Sequence, residues 1–261
     1  MSLGINKKIL VFEDTYTLTN HLIQKFFDVA NQSIEKYGKF FVALTGGSTV
    51  VEFYSKLSGI KDFSVWKNTH IFLTDERFVS KNSKDSNLKL IKDNLLDFVN
   101  IPPQNVHPIN TEEENAFLAA QTYEEELRHV LPIVNELPKI NFILLGLGSD
   151  GHIASLFPTV EGIDNQEVAV IATYPEYLKT DRVSLTMSVI NNADCVVFFI
   201  KGAHKARMVK KILEEKQDLP ATRVSPVDGE LLFLLDKQSA KDFSSENTFE
   251  NEGDAIRVLI N

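Results

Sequence analysis

The stretch that most constrains this chain is 141–158, NFILLGLGSDGHIASLFP. Phe142, Ile143, Leu144 and Leu145 form a short apolar run without polar alternation, the composition of a strand buried on both faces of a sheet. The run breaks into Gly146-Leu147-Gly148-Ser149-Asp150-Gly151, where three glycines permit turns closed to other residues. His152 follows, two residues after Asp150. A buried strand that ends in a glycine turn with an acid and a histidine sets ionisable groups at the carboxyl edge of a sheet. That edge is where open α/β sheets take their ligands. Alone, an Asp-Gly-His turn is better explained by a surface acid and a hydrogen-bonded imidazole. Three further stretches point to the same edge.

The first is 40–49. An apolar strand over 40–44 runs straight into Thr45-Gly46-Gly47-Ser48-Thr49, and 50–57 reads as a helix. A strand, a Gly-Gly-Ser-Thr turn and a helix together make an anion site, because free backbone N–H groups and the helix dipole face the ligand. The pattern is neither a lysine-bearing P-loop nor a GxGxxG fingerprint, and helix capping alone would also explain the serine and threonine. The second stretch is a strand over 69–74 that delivers Asp75-Glu76-Arg77 at its carboxyl end, where a solvated turn is the ordinary alternative. The third is a strand over 194–200 followed by Lys201-Gly202-Ala203-His204-Lys205 and a helix over 206–213. A lysine near a helix N-terminus opposes the dipole, so Lys205 is expected to serve a ligand.

The remaining segments fit the same alternation. A strand over 8–12 precedes an amphipathic helix over 15–36, with Leu18, Leu22, Ile23, Phe26, Phe27 and Ala30 on one stripe. Ser86 or Asn87 caps a helix through 96, and 112–130 reads as an acidic helix. Residues 167–173 are extended, 182–187 alternate like a half-buried strand, 230–236 supply a last core strand, and 256–260 add an edge strand. The expectation is a three-layer α/β/α sandwich with a mainly parallel sheet, formed as one domain over 1–261.

A formal charge of −9 with no lysine-arginine block argues against nucleic acid or an anionic membrane as partner. Cys195 is the single cysteine and lies in an apolar run, so disulfides, zinc clusters and thiol catalysis lose support. No apolar run approaches the ~18 residues of a membrane span, and the cytoplasm is the default compartment. The six histidines show no metal-ligand spacing; His107 and His129 read as surface residues, and neither metal nor cofactor is expected.

LTGGST, TDERFV followed by DSN, GLGSDGHIASLFP, RVSLT and KGAHKA occur in the order seen in 6-phosphogluconolactonases, and the chain resembles that family from about Leu44 to Leu235. The resemblance implies a modified Rossmann-like fold shared with glucosamine-6-phosphate deaminases. It also implies hydrolysis of 6-phospho-D-glucono-1,5-lactone to 6-phosphogluconate in the oxidative pentose phosphate pathway. Deaminases carry a glutamate five residues after the histidine; here that position is Phe157, which cannot move a proton. A non-catalytic sugar-phosphate sensor is the other alternative. It would expect a DNA-binding region and tolerate loss of the histidine, whereas this chain carries −9 and keeps His152.

The chemistry asks for an activated water, a cradle for the oxyanion and an anchor for the phosphate. His152 suits the general base, because imidazole titrates near neutrality. Asp150 either orients it or braces the glycine turn. Ser155 has no visible base of its own, so direct attack by water is preferred to an acyl-enzyme. Gly46, Gly47, Ser48 and Thr49 with Arg182 and Lys205 are the expected phosphate ligands. Arg77 is placed on the sugar hydroxyls, the carbonyl or the phosphate, and Asp75 on a hydroxyl or on Arg77. The implied partner is a small sugar-phosphate lactone, bound by a monomer or a homodimer.

Overall fold

The computed structural model describes residues 6–61, 63–160 and 167–260. The chain opens with β1 (Asn6–Phe12) and α1 (Thr15–Tyr37). Asp14 starts this helix by accepting from the Thr17 amide at 2.8 Å, and Gly38 ends it in the left-handed region at φ 74°. Next come β2 (Phe40–Leu44), α2 (Val51–Ser58), α3 (Phe63–Trp66), β3 (Thr69–Leu73) and β4 (Asp75–Arg77). α4 (Asn87–Asn94) and the two-residue β5 (Val106–His107) precede α5 (Ala116–Val130). A small hairpin of β6 (Ile133–Val134) and β7 (Leu137–Pro138) leads to β8 (Phe142–Leu145). The rest comprises β9 (Val170–Thr173), β10 (Arg182–Leu185), α6 (Met187–Asn191), β11 (Cys195–Ile200), α7 (Ala206–Leu213) and β12 (Glu230–Asp236). It closes with the hairpin β13 (Thr248–Glu252) and β14 (Ala255–Leu259).

Nine strands form the main sheet in the order β13-β14-β1-β12-β11-β8-β2-β3-β5, parallel from β1 to β5 and antiparallel only at the β13–β14 rim. Every residue of β2, β3, β8 and β11 is buried, which explains the unbroken apolar sequences of β2, β8 and β11; the two polar residues of β3 are satisfied inside, Thr69 on the Val65 carbonyl and His70 on His107. From β2 the chain steps outward to β3 and β5; from β8 it steps the opposite way to β11 and β12. Right-handed crossovers therefore put α1, α2 and α4 on one face and α5, α6 and α7 on the other, giving three layers. The direction of winding reverses between β2 and β8, and the crevice beyond their carboxyl ends is the expected ligand site.

Several local expectations change: α4 ends at Asn94 rather than 96, where a 3₁₀ turn (Leu96–Phe98) takes over, and the extended run expected from 167 becomes a strand only at Val170. α5 starts at Ala116 rather than 112, because the Asn115 side chain accepts from the Leu118 amide at 3.0 Å and caps the helix there. The strand expected over 182–187 stops at Leu185, since Thr186 caps α6 through the Val189 amide. The C-terminal segment supplies two strands rather than one, β14 against β1 and β13 on the rim. β10 also belongs to a separate antiparallel sheet, β4-β10-β9, which carries charged residues to the mouth of the crevice.

Candidate active site

Four neighbouring strands, β11, β8, β2 and β3, end at the same edge, and the segments that follow them enclose a cleft of about 330 Å³. Its walls are 45–50 after β2, Asp75 and Arg77 on β4, Asn87 at the head of α4, 146–149 and 152–154 after β8, and Lys205 after β11. The turns on either side of β8 are built alike. Gly47 (φ 97°, ψ 159°) and Gly202 (φ 95°, ψ 146°) each sit where a side chain would be strained, and each opens a single 3₁₀ turn before an eight-residue helix. The Gly202 amide donates to both oxygens of Asp236 at 3.0 Å, which fixes the second turn.

In the first turn, Tyr54 donates to the Thr45 carbonyl at 2.6 Å from inside the core. Among the described residues neither the Ser48 nor the Thr49 hydroxyl has a hydrogen-bond partner, so both remain available to a ligand. Gly46 is required by its neighbour, since a Cβ there would fall 1.7 Å from Asn87 Oδ1. Across the cleft, Lys205 is half-buried with no ion-pair partner among the described residues. Burial lowers its pKa, and the nearby Asp150 charge opposes that shift. A partly desolvated ammonium without a carboxylate partner favours an anion beside it.

The β8 turn presents the histidine. Gly148 donates to the His152 carbonyl at 2.9 Å, and Gly151 (φ 85°) receives the Ala221 amide at 3.1 Å, tying the loop to the segment before β12. A Cβ on Gly148 would stand 2.2 Å from His152 Nδ1, so the imidazole lies directly over this glycine. His152 Nδ1 meets Asp150 Oδ1 at 2.5 Å, and the His152 amide donates to the same oxygen at 3.1 Å. Burial pushes the Asp150 carboxyl up, but the bond and charge of His152, its amide and the Tyr177 hydroxyl outweigh it and hold the pKa well below the usual carboxylate range. With Nδ1 engaged, Nε2 is the ring nitrogen left without a partner among the described residues. Ala154, also on the cleft wall, adopts φ 45°, a strained position for a residue with a side chain.

β4 alternates its side chains: Asp75 and Arg77 line the cleft while Glu76 turns away. Glu76 is buried rather than solvated. It accepts from the Asn87 amide (2.7 Å), the Leu88 amide (2.8 Å), the Arg77 amide (2.8 Å) and Ser86 Oγ (3.0 Å), clamping the N-terminus of α4. Burial raises its pKa, and these four bonds pull against that. Asp75 is buried too, bonded by Thr74 Oγ1 (3.0 Å) and by Ser155 Oγ (2.7 Å), so it joins β4 to the histidine loop. Ser155 is spent on that tie and lies outside the cleft wall. Arg77 donates to the Asp85 carbonyl at 2.7 Å. Arg182 stands opposite Arg77 in the β10–β4 register, with its guanidinium bonded to Thr180 and to the Asp181 carbonyl; it flanks the cleft rather than lining it. Burial and then the charge of Arg77 lower the Arg182 pKa. Like charges facing across two strands are unfavourable unless an anion joins them.

Thus Gly46, Gly47, Ser48, Thr49, Asp75, Arg77, His152 and Lys205 meet in one cleft, with Asp150 behind the histidine and Arg182 at the margin. Sequence reasoning missed Asn87 as a cleft residue. Its Nδ2 is committed to the Asp75 carbonyl at 2.8 Å, and its buried Oδ1 has no partner among the described residues. It missed Tyr177 as well. His107, expected at the surface, is buried at 5% exposure: its Nδ1 meets Glu126 at 2.6 Å and its Nε2 meets His70 Nδ1 at 3.0 Å. The edge strand β5 and helix α5 close over it, a non-local event. His129 does lie at the surface. Among the described residues no group of three or more His, Cys, Asp or Glu stands close enough to hold a metal ion, and no helix is long and apolar enough to cross a membrane.

Comparison with known proteins shows the family and the fold. Residues 13–233 match the family model described as glucosamine-6-phosphate isomerases/6-phosphogluconolactonase. A probable 6-phosphogluconolactonase of Arabidopsis thaliana is 34% identical over 89% of this chain and 92% of its own length. A 6-phosphogluconolactonase of a Synechocystis species is 33% identical over 91% of this chain and 95% of its own. Among solved structures, the 6-phosphogluconolactonase of Trypanosoma brucei superposes with a TM-score of 0.81 at 29% identity, covering 92% of this chain and all of that one. The Thermotoga maritima 6-phosphogluconolactonase gives 0.77 at 31% identity, covering 88% of this chain and all of the other.

Proposed function

This chain belongs to the family of glucosamine-6-phosphate isomerases and 6-phosphogluconolactonases, and from that premise we propose that it hydrolyses 6-phosphogluconolactone with a water activated by His152. One observation carries the reading. An imidazole held by a carboxylate through Nδ1, with Nε2 unengaged, shares a 330 Å³ cleft with an anion-binding turn and an unpaired lysine. Phe157, 4.6 Å from the His152 ring, brings no proton-transfer group to the place where a deaminase needs one.

The phosphate rests on the turn of Gly46, Gly47, Ser48 and Thr49 and on Lys205, with Arg182 adding positive charge from the margin. Free amides, hydroxyls and a partly desolvated ammonium offset the overall −9 locally. His152 Nε2 takes a proton from water as the water oxygen bonds to the lactone carbonyl carbon. Asp150 holds Nδ1–H and stabilises the imidazolium that forms. Arg77 faces the developing oxyanion, a placement worth about 3 kcal/mol by analogy with other oxyanion donors. Collapse of the tetrahedral intermediate breaks the bond to the ring oxygen, which receives the proton from His152. A carboxylic acid and a hydroxyl result, the acid then losing its proton to solvent to give the carboxylate, with no covalent enzyme intermediate. Asp75 accepts from a sugar hydroxyl or stays a brace for Ser155; the first role requires a reorganised hydrogen bond at one of its oxygens.

The cleft residues, from Thr45 to Lys205, all stand at one edge of one continuous sheet, which supports a single catalytic domain over 1–261. The lone, buried Cys195 thiol, pushed up to about 12 by burial, suits a reducing compartment such as the cytoplasm. The test is hydrolysis of freshly generated 6-phosphogluconolactone near neutral pH, corrected for spontaneous opening, alongside ammonia release from glucosamine 6-phosphate. Lactone turnover without ammonia supports the proposal; ammonia without lactone turnover rejects it.

A further inference from the structure

We propose that Tyr177 is a positioning residue for the reaction: its hydroxyl holds Asp150, and Asp150 in turn holds His152. Tyr177 lies in the connection between β9 and β10, and its side chain is 56% exposed. From there its hydroxyl donates to Asp150 Oδ2 at 3.0 Å, while Oδ1 of the same carboxylate meets His152 Nδ1 at 2.5 Å. Each carboxylate oxygen therefore has its own partner, and the group is fixed at both ends. Its plane, and with it the plane and tautomer of the imidazole, can no longer turn freely.

The rings repeat this arrangement. Phe157 packs edge-on against Tyr177 at 5.9 Å between centroids and tilts over His152 at 4.6 Å. Phe157 is buried, so it forms a rigid spacer that sets the distance from the tyrosine to the histidine. Lys205 adds its charge beside Asp150 and Arg182 beside Tyr177, so the carboxylate is the one anion among these groups. A hydrogen bond from so exposed a tyrosine adds little to folding stability, because water competes for both partners. Its value lies in where the carboxylate points.

The inference rests on the lactonase reading with His152 as base, and the experiment separates the two. Tyr177→Phe removes the hydroxyl and keeps the ring against Phe157. It is expected to lower kcat about 5- to 20-fold, at or below the low end for one hydrogen bond to a charged group because water competes at this exposed site, with KM changed less than twofold. In an Asp150→Asn background the same change is expected to have no further effect. The ring signals of His152 in a nitrogen-15 spectrum should shift in Tyr177→Phe, which a purely structural loop residue would not cause. Unchanged kcat with unchanged His152 signals overturns the proposal, and so does an equal loss of kcat in both backgrounds. Absence of lactone turnover in the wild type would remove the catalytic reading, while the His152 spectrum would still decide whether Tyr177 positions the pair.

Discussion

Two histidine–carboxylate pairs in this molecule make nearly the same contact and lead to different ends. His152 Nδ1 meets Asp150 at 2.5 Å, and His107 Nδ1 meets Glu126 at 2.6 Å. Around His107 every valence is taken. Its second nitrogen bonds His70, and its ring stacks on Phe72 (4.4 Å, 9°) and on His70 (5.3 Å, 8°) under the cover of α5. Around His152 the second nitrogen is unengaged among the described residues, the ring lies over a glycine, and the turn of Gly46, Gly47, Ser48 and Thr49 shares its cleft with Lys205. A histidine paired with an acid is thus an ordinary structural device. What makes one of them a candidate base is the nitrogen left over and the company it keeps at the sheet edge.

The comparison is broken most forcefully by moving the ring. Gly148→Ala would place a methyl group 2.2 Å from His152 Nδ1 and force the imidazole out of line. Loss of a positioned base costs ~10²–10⁴-fold in rate, so a fall of about that size in kcat is expected, with the circular dichroism spectrum unchanged. Next in size is Lys205→Met, which removes the unpaired cation. On the proposed reading, kcat/KM for the phosphorylated lactone should drop about 10- to 100-fold, as for a charge-assisted bond, while unphosphorylated gluconolactone is unaffected. Equal losses on both substrates would place Lys205 elsewhere than at the phosphate.

The last prediction belongs to the buried side, where His70 is bonded to His107, and concerns stability rather than rate. Burial, then the charges of His107 and Lys39, lower the His70 pKa from 6.5 to about 4. Between those values the unfolded chain binds the proton more tightly than the folded one. Stability is therefore full above about pH 6.5 and declines as pH falls toward 4, by at most ~3 kcal/mol from this group. Urea midpoints measured at pH 7.5 and 4.5 should show the decline, and His70→Phe, which stays against Phe41, should lessen it. An unchanged slope in that variant would assign the acid sensitivity to other groups.

How much was legible in the sequence follows from how local each feature is. The strands over 40–44 and 142–145 and the turns that follow them are contiguous, and their apolar runs and glycines encode both burial and the special backbone angles. The cleft residues on those turns could therefore be named from the sequence. Arg182 was named too, yet its guanidinium bonds its own loop, because only the β10–β4 register decides that it faces Arg77. Glu76 reads as one of three charges in a turn until α4 is folded onto it. Asn87 reads as a cap until Gly46 and Asp75 close around it. His107 sits on a strand of two residues, too short for any periodicity, and the acid that fixes it lies 19 residues away. Tyr177 belongs to a connecting segment with no pattern at all. Residues brought together by tertiary packing alone leave no mark in a linear pattern.

The measurement that tests the central claim most directly is the rate of 6-phosphogluconolactone hydrolysis by His152→Ala and His107→Phe side by side, each corrected for spontaneous opening. The account predicts a loss of ~10²–10⁴-fold for His152→Ala with the fold intact. For His107→Phe it predicts a rate within about threefold of wild type, with stability lowered by ~1–3 kcal/mol from the broken buried bonds. A folded His152→Ala protein that retains wild-type turnover would contradict it, as would a folded His107→Phe protein that is equally inactive.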